Sequence, residues 1–275
     1  MSTAQKVIKY FAIAFAMFLI INIISFILFL FYNFANVLKL GNSDSEENIS
    51  GEVKEIYTMD IKDVSNLKME LGFSNLQIKE GDKFRVETNN SKVSISENNG
   101  SIVIKEKTNN WFSQNNNTST LIVYIPKGDS ILKEVNIEAG AGEINIEQLK
   151  TEKIDFEVGA GKVKIDNITV TKEATIEGGA GKTEILSGEM NNLDLDLGVG
   201  EFNLNSKLTG KNDIDAGIGA VKLDLTDDLD NYTIKASKGI GSIKLDGQDI
   251  SGDTKYGTGE SYIEIDGGIG SIEIK

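Results

Sequence analysis

Val135-Asn-Ile-Glu-Ala-Gly-Ala-Gly-Glu-Ile-Asn-Ile146 joins two alternating strands through a Gly-Ala-Gly step. The phrase returns as Ile154-Asp-Phe-Glu-Val-Gly-Ala-Gly-Lys-Val-Lys-Ile165. Its glycine pair recurs at Gly140/Gly142, Gly159/Gly161, Gly179/Gly181, Gly198/Gly200, Gly217/Gly219, Gly239/Gly241 and Gly268/Gly270, with an irregular copy at Gly257/Gly259. The first five pairs are spaced by 19 or 20 residues. A fixed period of that size marks a stacked-repeat architecture.

The apolar residues show how each copy bends. In the second copy they are Ile154, Phe156, Val158, Ala160, Val163 and Ile165. Steps of two give way to one step of three, and the first, fourth and fifth copies repeat the slip. Successive strand residues face opposite ways, so a change of parity requires a bulge or a corner. Glycine reaches the positive φ that such a corner requires. We therefore expect bends at Gly142, Gly161, Gly181, Gly200, Gly219, Gly241 and Gly270, with Ala141, Ala160 and Ala180 pointing inward where space is least. One repeat of 19 or 20 residues has a contour near ~60 Å at ~3.3 Å per residue, enough for a coil with two or three short sides. The fold class read from this pattern is all-β: a repetitive β-solenoid, helix- or roll-like. An antiparallel meander of hairpins is the alternative, and recurrence of both spacing and parity favours identical stacked coils.

The flanking regions divide the chain further. Residues 1–9 are a short polar start with Lys6 and Lys9, and Phe11 to Tyr32 is broken only by Asn22 and Ser25. Some twenty apolar residues cross a ~30 Å hydrocarbon core. The apolar run exceeds that of a cleaved signal peptide, and bulky residues follow it, so residues 10–38 read as an uncleaved transmembrane anchor. The two lysines favour a cytoplasmic tail at 1–9 and an extracellular remainder at the cell membrane. Residues 39–55 read as a flexible linker. Residues 56–130 read as a degenerate opening section that covers the first coil of repeats 131–275. Within it, Leu67-Lys-Met-Glu-Leu-Gly-Phe-Ser-Asn-Leu-Gln-Ile78 echoes the repeat. An Asn/Ser-rich insertion carries Trp111 and Phe112, read as a plug on the solenoid end or a contact tip.

Composition excludes several functions. Net charge is −14, and residues 1–40 carry three lysines and no acid, so the remainder carries −17. Nucleic acid needs a basic footprint, so it is not an expected partner. The chain has no cysteine and no histidine, which removes thiolate chemistry and the commonest general base and transition-metal ligand. Gly179-Ala-Gly-Lys-Thr183 imitates the tail of a phosphate loop, but Ile176 stands where the pattern needs glycine and a strand follows in place of a helix. Calcium-binding nonapeptide rolls need Asp where this chain has Thr183, Ile144, Val163, Phe202, Val221 or Ile272. No cofactor and no catalytic residues are expected. Glu138, Glu157, Glu177, Asp196 and Asp215 share one outward repeat position, two before the first glycine. Stacked at ~4.8 Å, they form a carboxylate row. It is either a solvated face or a weak site for divalent cations or a cationic partner.

The recurrent Gly-Ala-Gly-x-φ-x-φ phrase, with a membrane segment before it, resembles the DUF4097 family of toastrack-like β-strand repeat proteins, candidate adhesins of bacterial envelopes. The resemblance covers roughly residues 56–275. It implies a surface or membrane-associated β-solenoid without known catalysis, and it defines no catalytic residues to carry over. Two functional expectations follow: a surface-displayed adhesin or structural binding module, or an envelope-stress sensing accessory that works with a membrane signalling partner.

Overall fold

A computed structural model describes residues 53–59, 64–107, 119–128, 131–250 and 254–275. The anchor expected at 10–38 and the Trp111/Phe112 pair lie outside these residues. Among the described residues no helix is long and apolar enough to cross a membrane.

The repeats begin in one winding strand, β8 (Leu132–Ile185). Its buried residues fall in three runs per coil: Ile144 and Ile146, then Leu149 and Thr151, then Ile154, Phe156 and Val158. The step is three after the first and second runs and five from Val158 to Val163, odd each time, so the backbone turns while apolar side chains stay inside, and the coil has three sides. β9 (Gly188–Asn191), β10 (Leu193–Thr209) and β11 (Lys211–Leu225) continue the winding. Neighbouring coils pair in parallel and in strict repeat register. Leu195 stacks between Ile176 and Ile214, and Gly200 between Gly181 and Gly219. Such parallel pairing is what a solenoid requires and an antiparallel meander lacks.

Stacking of identical positions makes one continuous core, with Phe156, Phe202 and Tyr232 among its largest buried side chains. Each fully buried aliphatic or aromatic side chain contributes roughly 1.5–3 kcal/mol. Two buried polar residues show how neighbouring coils satisfy one another. Asn212 is fully buried; its Oδ1 accepts from Leu193 N at 3.0 Å and its Nδ2 donates to Tyr262 O at 3.0 Å, so one amide ties three coils. Thr151 Oγ1 donates to Leu132 O at 3.1 Å. These bonds remove the cost of burying unpaired polar groups.

Chain order breaks at the far end. β12 (Tyr232–Leu245) follows β11 in sequence but does not pair with it. β15 (Ser261–Ile274) lies between them, parallel to both, with Gly270 paired to Gly219 and to Gly241. The chain leaves one slot empty and returns to fill it. On the return, β13 (Gln248–Asp249) and β14 (Thr254–Tyr256) pair antiparallel with the two ends of β12. This return explains the irregular Gly257/Gly259 copy, which is not a coil. Gly257 sits at φ +72°, Gly259 N donates to Tyr232 O at 3.2 Å, and both lie against the start of β12.

The opening section is partly a coil and partly a set of antiparallel covers. β2 (Asn66–Leu71) and β3 (Ser74–Gly81) lie parallel on the first regular coil. β6 (Ser101–Glu106) and β7 (Ser119–Pro126) lie parallel on β2 and β3 in turn. β5 (Val93–Asn98) then covers β6, β4 (Phe84–Thr88) covers β7, and β1 (Lys54–Met59) covers β4, all antiparallel. β1 begins inside the stretch read as linker, two residues before the expected start of the section.

Candidate functional site

The glycine pairs form a ladder along one edge of the solenoid. Gly142, Gly161, Gly181, Gly200, Gly219, Gly241 and Gly270 all lie between φ +144° and +155°, which L side chains rarely adopt. Space forbids a side chain as firmly as φ does. A Cβ built on Gly181 would overlap the Gly161 carbonyl oxygen, and the same overlap recurs from Gly161 to Gly270. The ladder is therefore a line of close backbone approach between coils.

The residue between each pair does not point inward, contrary to the expectation for Ala141, Ala160 and Ala180. Ala180 is exposed, and Ala141 and Ala160 are half-exposed. The bulkier residues at this position are more open: Val199 is 37% exposed, Ile218 45%, Ile269 50% and Ile240 73%. Phe73, between Gly72 and Ser74 in the opening section, is 60% exposed. The parity slip therefore falls before the middle residue, at the first glycine, where the ladder of paired residues skips from Leu197 to Val199. A signal of this was present in the residues. A position with least space holds alanine in three copies, yet valine or isoleucine in four.

In order along the solenoid, Phe73, Ala141, Ala160, Ala180, Val199, Ile218, Ile269 and Ile240 thus make an apolar ridge. Beneath it the inward position before each glycine pair varies from Val158 through Gly178 and Leu197 to Ala216. Cavities of about 40 and about 20 Å3 lie there, with Val158, Val163, Leu197 and Ala216 among their linings. Spaces of this size hold water, whereas pockets for small-molecule ligands run to roughly 300–1,000 Å3.

Beside the ridge runs the carboxylate row. Register places Glu177, Asp196, Asp215 and also Asp266 at one level in successive coils. Asp266, absent from the sequence-based set, enters the row because β15 inserts next to β11. Ser237 Oγ bonds its carboxylate from β12. A second column adds Asp194 and Asp213, two residues earlier. Among the described residues the only ion pair within the main row is Lys68 Nζ–Glu138 Oε1, 2.9 Å, at the opening end. Among these residues the main row has no ion pair from Glu157 to Asp266; in the second column Glu264 follows Asp213 and pairs with Lys235 Nζ of the outermost coil. Burial pushes the Asp215 carboxyl up from its ordinary pKa, and Asp213, Asp266, Asp196 and Asp194 push it further. Among the described residues no three carboxylates are grouped so as to hold a metal ion.

The opposite flank differs. At the position after the second glycine stand Glu143, Lys162, Lys182, Glu201, Ala220, Ser271 and Ser242. Lys182 Nζ pairs with Glu201 Oε1 at 3.3 Å, and the last three positions are neutral.

The bends from Gly142 to Gly241 lie within a stretch that matches one known sequence family. The model for Toastrack DUF4097 matches residues 64–265. The chain belongs to the Toastrack DUF4097 family. No curated protein sequence matches it. Solved structures similar to this Toastrack chain include a candidate cell adhesion protein from Clostridium sporogenes, 18% identical over 82% of this chain and 99% of that one, with a TM-score of 0.38. A candidate adhesin from Bacteroides fragilis is 12% identical over 82% and 98%, with a TM-score of 0.33. A candidate lipid-binding protein from Parabacteroides distasonis is 15% identical over 83% and 98%, with a TM-score of 0.41.

Proposed function

We propose that this Toastrack protein is a non-catalytic, membrane-anchored surface module of the bacterial envelope, which binds partners through the long side of its solenoid. The apolar segment within residues 10–38 anchors it, with the N-terminus cytoplasmic and the repeats outside the cell. The observation that carries the reading is the ridge, where bulky apolar side chains stay exposed on coils that bury most of their other large apolar residues. Exposed apolar residues aligned in a row mark interaction surfaces. The cavities beneath are water-sized, and the carboxylates stand in rows across the strands, one per coil, so the shape favours surface contact over enclosure of a substrate. Adhesion is the biological form of binding that this arrangement serves best.

The test uses intact cells that express the chain with a C-terminal epitope. External protease removes the epitope if the repeats face outward. Cells bearing the chain then adhere to a host-matrix or neighbouring-cell surface more than cells lacking it, and Ile218→Ser with Ile269→Ser lowers that adhesion. An epitope protected until lysis, or adhesion indifferent to the chain, would overturn the reading. Co-purification with a membrane kinase in place of adhesion would move the protein to the sensing class.

A further inference from the structure

We propose that the far half of the ridge, together with the acidic row beside it, is a docking track for an amphipathic α-helix of a protein partner, one whose apolar stripe is bordered on a single side by lysine or arginine. The inference rests on the surface-binding reading and names the chemistry of the partner.

Three features of the surface select that occupant. The first is the profile. Val199, Ile218, Ile269 and Ile240 stand in line on successive coils, with glycines on both sides of each. Bare backbone flanks the ridge on both sides, so the ridge side chains stand above their surroundings. A helix offers the matching relief, since rows of side chains on its surface enclose grooves that accept such a ridge. The second is pitch. Three coil intervals at ~4.8 Å span about 14 Å, and three helical turns at ~5.4 Å span about 16 Å. The two stay nearly in phase over these four coils and drift apart over the full solenoid. The far half is also where the ridge residues are bulky; Ala141, Ala160 and Ala180 stand in the middle coils.

The third feature is charge, and it is one-sided. Glu177, Asp196, Asp215 and Asp266 lie three residues from the ridge line, roughly 10 Å along the strand, which is about the width of a helix. On the other side Ala220, Ser271 and Ser242 carry no charge, and Glu201, on the Val199 coil, is paired with Lys182. A helix seated on the ridge would bring one flank over carboxylates and the other over neutral or paired residues. Basic residues on the first flank relieve the mutual repulsion felt at Asp215. A second copy of the chain would bring its own acidic row and net charge of −14 to the same place. An anionic bilayer would be repelled likewise. Both are disfavoured by the charge that attracts a basic helix.

The probe is a fluorescein-labelled synthetic helix of about 18 residues, with leucines at i, i+4, i+7 and i+11 and lysines along one flank. Its twin carries glutamate in place of lysine. Each is titrated by anisotropy against the full-length chain in nonionic detergent micelles. Peptide adsorbed on micelles is common to all protein variants and cancels in their comparison. The lysine helix is expected to bind at least about tenfold tighter than its twin. Ile218→Ser with Ile269→Ser should weaken it about tenfold, and Asp196→Asn, Asp215→Asn and Asp266→Asn together should weaken it about fivefold and flatten its salt dependence. These positions are at the surface, and urea midpoints no lower than the parent's establish that folded protein is compared. Equal affinity for the two helices, or ridge variants that bind like the parent, overturns the inference. Ridge-dependent cell adhesion without helix binding overturns it while the surface-binding reading stands. Helix binding by a chain whose epitope is protected from protease overturns the surface reading alone.

Discussion

The same corner is built in two ways within this molecule. In the regular coils Gly179-Ala180-Gly181 stacks on Gly159-Ala160-Gly161, backbone against backbone, with no room for a side chain. At the opening end Gly72-Phe73-Ser74 occupies the equivalent slot, and side chains take over. Glu106 Oε2 accepts from Gly72 N at 2.8 Å and Phe73 N at 3.1 Å. The Ser74 and Ser119 hydroxyls bond at 2.6 Å, and Asn75 Oδ1 accepts from Glu143 N at 3.0 Å. The reason lies in the neighbour. A regular corner has another corner on each side, whereas Gly72 and Phe73 face the point where β6 ends and the insertion before β7 begins. Among the described residues a side-chain carboxylate supplies the acceptor there in place of a backbone carbonyl. Identical repeats can share backbone; an end must spend side chains to terminate it.

The largest test of this contrast is Gly181→Ala. The new methyl would overlap the Gly161 carbonyl oxygen, at a φ of +149° that alanine resists. Both coils must separate, and a loss of at least ~3 kcal/mol is expected in urea unfolding. Gly178→Ala, three residues earlier, is the control. Its Cβ meets only Leu197 Cδ2 at 3.3 Å, and its φ is ordinary. It should change stability by less than ~1 kcal/mol, with gain favoured because alanine narrows the unfolded ensemble. If the two substitutions cost the same, close backbone stacking is not what holds the corners.

Glu106→Ala tests the other construction. It removes the acceptor for two backbone amides and for Asn90 Nδ2, which donates to Oε1 at 2.7 Å. The site is half-buried, so water can replace part of what is lost, and a cost of about 1–2 kcal/mol is expected. Hydrogen exchange should localise the change: amides of Gly72 and Phe73 lose protection while those at Gly181 do not. Uniform loss along the solenoid would show that the opening end is not a separate unit of support.

How far the residues alone reveal this architecture follows from the same contrast. Wherever a contact joins one repeat to its copy, spacing and parity disclose it, as with the stacked glycines and the Glu177–Asp196–Asp215 level. Where a contact depends on the order of pieces, the local phrase is silent. Ser261–Ile274 carries the same pattern as Tyr232–Leu245, and either would fit beside β11. The short strands β13 and β14 decide the order by folding back over β12, and two- and three-residue strands leave almost no pattern to read. The direction of the residue between the glycines is hidden for a different reason. Alternation continued through Ala160 runs one residue too far, and glycine, having no side chain, leaves no mark of which way it faces. The isoleucines at 218, 240 and 269 were the better guide to direction.

The smallest expected effect separates the far half of the acidic row from its opening end, where Lys68 already pairs with Glu138. Asp215 has a raised pKa, first because it is partly desolvated and then because Asp213, Asp266, Asp196 and Asp194 surround it. A carboxyl that holds its proton more tightly when folded costs stability whenever it is ionised. The cost is complete above the raised pKa, shrinks as pH falls through it, and vanishes below the ordinary carboxylate value. Asp215→Asn should therefore raise the melting temperature at neutral pH, by an amount worth less than ~1 kcal/mol because the site is exposed, and leave it unchanged in strong acid. Added salt should shrink the gain without abolishing it, since ions screen the neighbouring carboxylates but do not restore lost hydration. The matching substitution at the other end, Glu138→Gln, forfeits an ion pair and should give no such gain. A stabilisation at both ends, or at neither, would mean that stacking alone, and not the missing cations, sets the electrostatics of the row.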